Sequence, residues 1–488
     1  TQADQCQGRQ CRGSAMTSRY PFVPLAIAIA LAATGGWVQV VAAVDRPADA
    51  ARQGQGGRDC DLQFQEVKGR GGPTTLQKYP TPSGRGNYFA GGGVDAFCAN
   101  TDQRLISDSA EQYGDPRLLY LIGSVHYSEE RVDLTADRIT YYMGEEKLVA
   151  EGNVVGRTST GTRFRGPRAT YLRAKPGLRT RSRLDAGGRP DTWISASDVG
   201  KDGAQRDSTH VLADSIISDN DSLVYARGNV QIERPDLTAT SDSALLDQGN
   251  EIAALRRSPR VAGVGSRKFV LTGSEIDIFS RNRSAERVRS SGSARAVSDE
   301  VELAADTIDL RITNEQLSRS IAWGTGGAHA MQSGRDISAD SIDVQMPGQV
   351  LHVMYAVRHA RAESLPDSTK IASVEHDWFA GDTIVARFDT STTRDTTGAT
   401  LQSLEALGAA QSWQQGARDG APVPDSTPAI NYMAGRTISV DFAPDRTLSV
   451  VRVVGQVSGI LLQPAADTSK RAAAPPTRRP PPARPHND

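Results

Sequence analysis

Aromatic side chains make up only 6% of this 488-residue chain, and its formal net charge is −1. The first shortage leaves few large side chains to fill a core and few rings on which bases could stack. The second removes bulk attraction to nucleic acid or to an anionic membrane. Metal-ligand spacing is missing as well: the seven histidines form no HxH, HxxH or HExxH arrangement, and the four cysteines form no CxxC pair. There is no GxSxG elbow and no GxxxxGK[ST] loop. No catalytic residue, no metal and no cofactor is therefore expected. No long helical period occurs after residue 60, which points away from helical and mixed folds.

The amino-terminal part carries an apolar run, Phe22 to Ala33, which follows Met16 and Arg19 and precedes the small residues Val41-Ala42-Ala43. That order is an export signal over residues 16–43. Residues 1–15 read as upstream sequence joined to the start, with Cys6 and Cys11 outside the folded part. An uncleaved anchor over residues 20–44 is the alternative, because Tyr20 to Val44 lack charge and are about long enough to span a bilayer. Past the signal lies an N-terminal segment, 44–89, and only Cys60 and Cys98 remain, an even count in an exported chain. A disulfide between them is expected.

Most of the chain is built on two alternating motifs. The pattern small–x–Gly–x–apolar centres on Gly92, Gly123, Gly152, Gly188, Gly228, Gly292, Gly326, Gly408 and Gly455, with Ala262 and Arg358 in weaker copies. These recur about every thirty residues. Between them falls small–Asp–x–Ile, at Asp108, Asp137, Asp214, Asp242, Asp306, Asp340 and Asp382, with Arg168, Glu275 and Arg436 in degenerate copies. Each half-repeat reads as a strand and a turn: in 306–312 apolar residues alternate with polar ones, and Gln248-Gly249-Asn250 is turn chemistry. The expected fold is all-β, an elongated stack of about twenty short antiparallel strands with one apolar face. The arginine-rich stretch Arg173–His210 and the polar insertion Thr390–Thr400 are expected to be loops. From Ala465 onward the sequence is a proline- and arginine-rich tail without core residues, a solvated segment over 465–488.

Two of these motif pairs carry a family resemblance: Ala136-Asp137-Arg138-Ile139 with Glu151-Gly152-Asn153-Val154, and Ala213-Asp214-Ser215-Ile216 with Arg227-Gly228-Asn229-Val230. Behind an export signal, such strands resemble the OstA/LptA-like family of periplasmic lipopolysaccharide-transport bridge proteins (organic solvent tolerance). The resemblance covers roughly 90–464. It implies a twisted V-shaped β-jellyroll that carries lipopolysaccharide, or a similar amphipathic lipid, in a groove between two sheets toward the outer membrane. It also implies a periplasmic location and inner- and outer-membrane transport components as partners. Independently of the resemblance, the open ends of an unclosed strand stack point to head-to-tail self-association through the edge strands 92–96 and 449–462. This chain holds about twice the strands of the short bridge protein, so one long jellyroll or two, divided near 173–210, both fit. The resemblance also leaves room for an inner-membrane-anchored partner in the same pathway.

On this reading the groove is lined by Ile139, Val154, Ile216, Gly228, Val230, Ile232, Ile276, Ile278, Ile308, Leu310, Ile342 and Val344. Counted by twos along LVYARGNVQIE, Gly228 falls on the apolar side with Val224, Ala226, Val230 and Ile232. A glycine there either leaves a trough for acyl chains or permits a twist or bulge. A carbohydrate-active or purely structural β-solenoid is the rival. The first should show clustered carboxylates or aromatic platforms, and the second Ile, Leu or Phe at the glycine positions.

Overall fold

The computed structural model describes residue 60 and residues 62–463, apart from 66–74, 195–208, 266–268, 391–398, 418–423, 444–447 and the single positions 100, 221, 283, 300 and 333. The export signal, the segment before it, most of 44–89, the core of the 390–400 insertion and the tail lie outside the described residues.

The strand Leu223–Glu233 shows what the repeat does. Val224 and Ala226 point inward and are buried, as are Val230 and Ile232, yet Gly228 between them is half-exposed and its neighbours Arg227 and Asn229 are exposed. Gly228 (φ 76°) and Asn229 (φ 48°) both take left-handed backbone conformations. The register accordingly jumps from Arg227 opposite Ser243 to Val230 opposite Ser241, two residues facing one. This is a β-bulge, and it bends the strand. Strict alternation fails here because the bulge turns Gly228 out of the apolar row.

What approaches Gly228 is Asp214 on the adjacent rung, since a Cβ at 228 would fall inside van der Waals contact with its carboxylate. Asn229 Nδ2 donates to that same carboxylate at 3.0 Å. The two sequence motifs are thus two halves of one joint. The joint recurs at Gly123 with Asp108, where Ser124 Oγ donates at 3.2 Å, and at Gly152 with Asp137, where Asn153 Nδ2 donates at 2.8 Å. It recurs again at Gly408 with Asp382. Elsewhere the parts vary: Ser274, not Glu275, faces Gly292, and Arg436 faces Gly455 and donates its N–H to the Gly455 carbonyl at 2.8 Å. Arg358 and His359 adopt the bend without a glycine, at φ 64° and 50°. Two positions differ from expectation: the bend near Ala262 is made by Arg257 and Ser258, and the one near Gly326 falls on Gly327.

The molecule is all-β, with 28 strands in one sheet among the described residues and one short 3-10 turn at Pro347–Gln349. Among the described residues every pairing between strands is antiparallel and links neighbours along the stack, and one isolated parallel bridge joins Ile371 to Asp425. Six pairs of short strands each form one broken rung, interrupted near the bend; Arg183–Gly187 with Asp191–Ile194 is an example. The 28 strands, less those six joins, make 22 rungs. The expected loop Arg173–His210 is therefore corrected in part. Residues 183–187 pair with 168–172, 191–194 pair with 162–165, and both extend the ladder, because Leu184, Ala186, Thr192 and Ile194 keep the inward alternation.

The bends fall in line, so the halves of successive rungs form two leaves joined along a spine. Residues 223–227 and 243–247 belong to the first leaf, 230–233 and 237–241 to the second. Inward side chains of both leaves make the core, which falls into two clusters, one from Cys60 to Ala186 and one from Ile194 to Val440. Cys60 and Cys98 are bonded, with Cα atoms 5.0 Å apart. Among the described residues no helix is long and apolar enough to cross a membrane.

Candidate functional site: an apolar cavity between the leaves

In the early rungs the leaf tips opposite the spine are tied together. Arg173 leaves the first leaf and places Nε 2.8 Å from Glu129 Oε2 and Nη2 3.3 Å from Asp102 Oδ1, both on second-leaf tips. Its Nη1 lies 3.8 Å from Glu146 on its own leaf. The side chains of Glu129 and Glu146 are each only 3% exposed. Tyr141 donates to Glu146 at 2.7 Å, Tyr127 donates to Glu129 at 2.9 Å, and Tyr171 donates to the other oxygen of Glu129. Burial, then the charge of Glu146, pushes the Tyr141 hydroxyl far above its ordinary range, and burial does the same at Tyr127. Both therefore stay protonated and act as donors. A second tie joins Arg234 Nη1 to Ser280 Oγ at 3.1 Å and the Ala285 N–H to Asp236 Oδ2 at 2.9 Å.

Farther along, the leaves enclose a cavity of 230 Å³. Its floor is Ala330, Met354, Ala386 and Val440, each at most 2% exposed. Its first-leaf lip is apolar, made by Phe388, Leu401 and Phe442. Its second-leaf lip carries Gln332, Arg335, Glu363, Ser364, Asp377 and Gln414. Most lip residues are half-exposed, so the cavity opens between the tips. Two lip carboxylates already have donors: Arg361 Nε donates to Glu363, His376 Nδ1 lies 3.4 Å from that carboxylate, and the Gln415 N–H donates to Asp377 at 2.8 Å.

The cause of the space is local sequence. Ala330 and Ala386 line the space at inward positions that, counted from the bend, Tyr127 and Tyr141 hold in the early rungs. Methyl groups at those positions cannot close the gap between sheets spaced about 10 Å apart.

The residues expected to line a groove behave differently. Ile139, Val154, Ile216, Val230, Ile232, Ile276, Ile278, Ile308, Leu310, Ile342 and Val344 all point between the leaves, but none is more than 4% exposed, and they pack against one another. They fill the inter-leaf layer. Gly228 lies outside that layer, at the spine. The cavity's own residues, Met354, Phe388, Leu401 and Phe442 among them, were not singled out from sequence; Ala330 and Ala386, at positions that carry tyrosine in the early rungs, are the signal that marks them.

Five of the described histidines lie within 4 Å of a carboxylate, as with His126 and Asp133 at 2.8 Å and His210 and Asp191 at 2.6 Å. Among the described residues no group of three or more His, Cys, Asp or Glu side chains could hold a metal ion.

No family model and no curated protein matches the chain. Among solved structures it is similar to LptH of Pseudomonas aeruginosa, described as the LptA-homologous periplasmic component of a lipopolysaccharide transport device. Sequence identity is 14%, over 34% of this chain and 95% of that one, with a TM-score of 0.17.

Proposed function

We propose that this chain is a non-enzymatic periplasmic carrier that binds lipopolysaccharide, or a similar amphipathic lipid, between its leaves and passes it toward the outer membrane. The observation that carries the reading is the 230 Å³ apolar cavity with one apolar and one polar lip, a shape that shelters hydrocarbon and leaves a head group in water. Each methylene moved out of water contributes ~0.8 kcal/mol, so a sheltered chain offsets a substantial part of the ~4–15 kcal/mol cost of association. Binding of this kind needs no catalytic group. A passive cavity cannot bias flow, so direction comes from membrane components at either end.

The carboxy-terminal edge supports assembly with such partners or with a second copy. Strands Leu448–Val454 and Ser458–Leu462 expose Leu448, Val454, Ile460, Leu461 and Leu462 by half or more. An edge of that kind accepts another strand by backbone hydrogen bonding.

The test is to purify the exported protein, extract it with organic solvent and identify bound lipid by mass spectrometry. Ala362→Trp, which fills the cavity, should carry much less lipid than wild type at equal folding. A wild-type protein free of lipid and unable to take it up from added lipopolysaccharide would overturn the proposal. Equal loading of the filled variant would move the cargo away from this cavity.

A further inference from the structure

We infer that the cavity takes a single hydrocarbon chain whose uncharged, hydroxyl-rich head group rests on the second-leaf lip, so that its preferred ligand is a single-tailed glycoside-like amphiphile. This rests on the lipid-carrier reading and narrows its cargo. Three observations carry it.

The first is capacity. A cavity of ~150 Å³ lined by aliphatic and aromatic groups holds one benzene ring. At 230 Å³ this one has room for a single chain of about eight to ten carbons and falls below the ~300–1,000 Å³ usual for larger ligands. The second is closure. On its amino-terminal side the rung paired with Met354 carries Ile342 and Val344, and an earlier rung carries Ile308 and Leu310, each at most 1% exposed, so no second chain can run along the stack from there. The third is the asymmetry of the mouth. Phe388, Leu401 and Phe442 form a lip with nothing to offer a head group, while the opposite lip offers amide donors and acceptors from Gln332 and Gln414. The charged groups there carry both signs, Glu363 with Arg361 and His376, and Arg335 with Asp377 beside them, so the lip favours no single sign of head group. Sugar hydroxyls donate and accept, and so suit such a lip.

The experiment titrates the full chain calorimetrically with n-alkyl glucosides of about six to about sixteen carbons, each below its micelle concentration. Affinity should rise about fourfold per methylene and level off at about eight to ten carbons, with one ligand per chain. Alkyl phosphate and alkylammonium probes of the same length should bind no tighter than the glucoside. Ala386→Leu and Ala330→Leu, each placing a side chain in the cavity, should each weaken the optimal glucoside more than about tenfold at unchanged or raised Tm. Two separate positions guard against one variant misfolding. A rise in affinity continuing beyond about twelve carbons, more than one chain per protein, or tighter binding of a diacyl glycolipid would overturn the inference. If alkyl glucosides fail while multi-chain lipids bind, this inference falls and the carrier reading stands. If neither class binds, both fall.

Discussion

The rungs before Ala186 and the rungs after Ala328 share one repeat and one spine but use the space between the leaves in opposite ways. The early rungs fill it with Tyr127, Tyr141, Leu105, Leu119 and Leu121, tie the tips through Arg173 and close their end with a disulfide. The late rungs place Ala330 and Ala386 where those tyrosines stand, leave a cavity and end on exposed apolar strands. The comparison shows that the bend, not the filling, is what the repeat motifs encode. Closure or opening is decided by side-chain size at inward positions and by what the tips carry.

The sharpest way to break the closed half is Arg173→Ala. It leaves Glu129 and Glu146 buried without their guanidinium, a loss that typically costs ~3–5 kcal/mol. Chemical denaturation should show a drop of that size. In the open half Arg361→Ala, which removes a partly exposed pair with Glu363, should cost no more than ~1 kcal/mol. Equal losses at both sites would mean that the Arg173 cluster does not hold the tips together.

The Cys60–Cys98 bond closes a loop with a sequence separation of 38, and Cys98→Ser should lower stability by ~3–4 kcal/mol through the unfolded chain. Matched melts under oxidising and reducing conditions check this. Melting temperatures that coincide would show that the amino-terminal strands contribute little to the stack.

The spine offers a test that spans both halves. Gly228→Leu forces a branched residue to φ 76° against Asp214 and should cost ~2–3 kcal/mol, while lipid uptake by the folded fraction stays unchanged because the site faces away from the inter-leaf layer. Asn229→Leu removes one hydrogen bond to Asp214 and should cost ~1 kcal/mol. In the late rungs Arg358, at φ 64°, is where a glycine is missing, and Arg358→Gly should stabilise by up to ~1 kcal/mol. Loss of lipid uptake in a stably folded Gly228→Leu protein would restore the trough reading of the glycine row.

These outcomes bear on how much of the molecule is legible in the sequence. A bulge that needs glycine on one strand and a carboxylate on the next leaves a local, repeated mark, so the all-β ladder and its period follow from Gly152 with Asp137 or Gly228 with Asp214. The face of Gly228 does not follow, because counting by twos assumes the regular pleat that the bulge breaks. The Arg173 cluster and the cavity lips are harder still. Asp102, Glu129, Glu146 and Arg173 lie in separate turns, and only the folding of one leaf over the other brings them together. The cavity is written in Ala330, Ala362 and Ala386, which look like ordinary strand residues until both leaves are seen to carry them.

The smallest expected effect concerns pH at the two regions' carboxylates. At the spine the hydroxyl and N–H of Thr325 hold the Asp306 carboxyl below its ordinary range. A lowered folded value contributes stability that is present above the unfolded carboxylate range and is lost as pH falls through the folded value. At the cavity lip Asp377 moves the other way: burial raises it, against the hydrogen bonds from Gln415. A raised folded value favours the folded state below the unfolded value, and that advantage is lost as pH rises through the folded value. Asp306→Asn should therefore destabilise slightly at neutral pH and converge with wild type in acid. Asp377→Asn keeps an acceptor for the Gln415 N–H without a buried charge, and should match wild type in acid and gain slightly, by less than ~1 kcal/mol, at neutral pH. Denaturation midpoints from about pH 3 to about pH 7 would resolve the two slopes. The same sign at both positions would mean that the Asp377 lip is as solvated as the spine, and that the cavity opens more widely than its lining residues indicate.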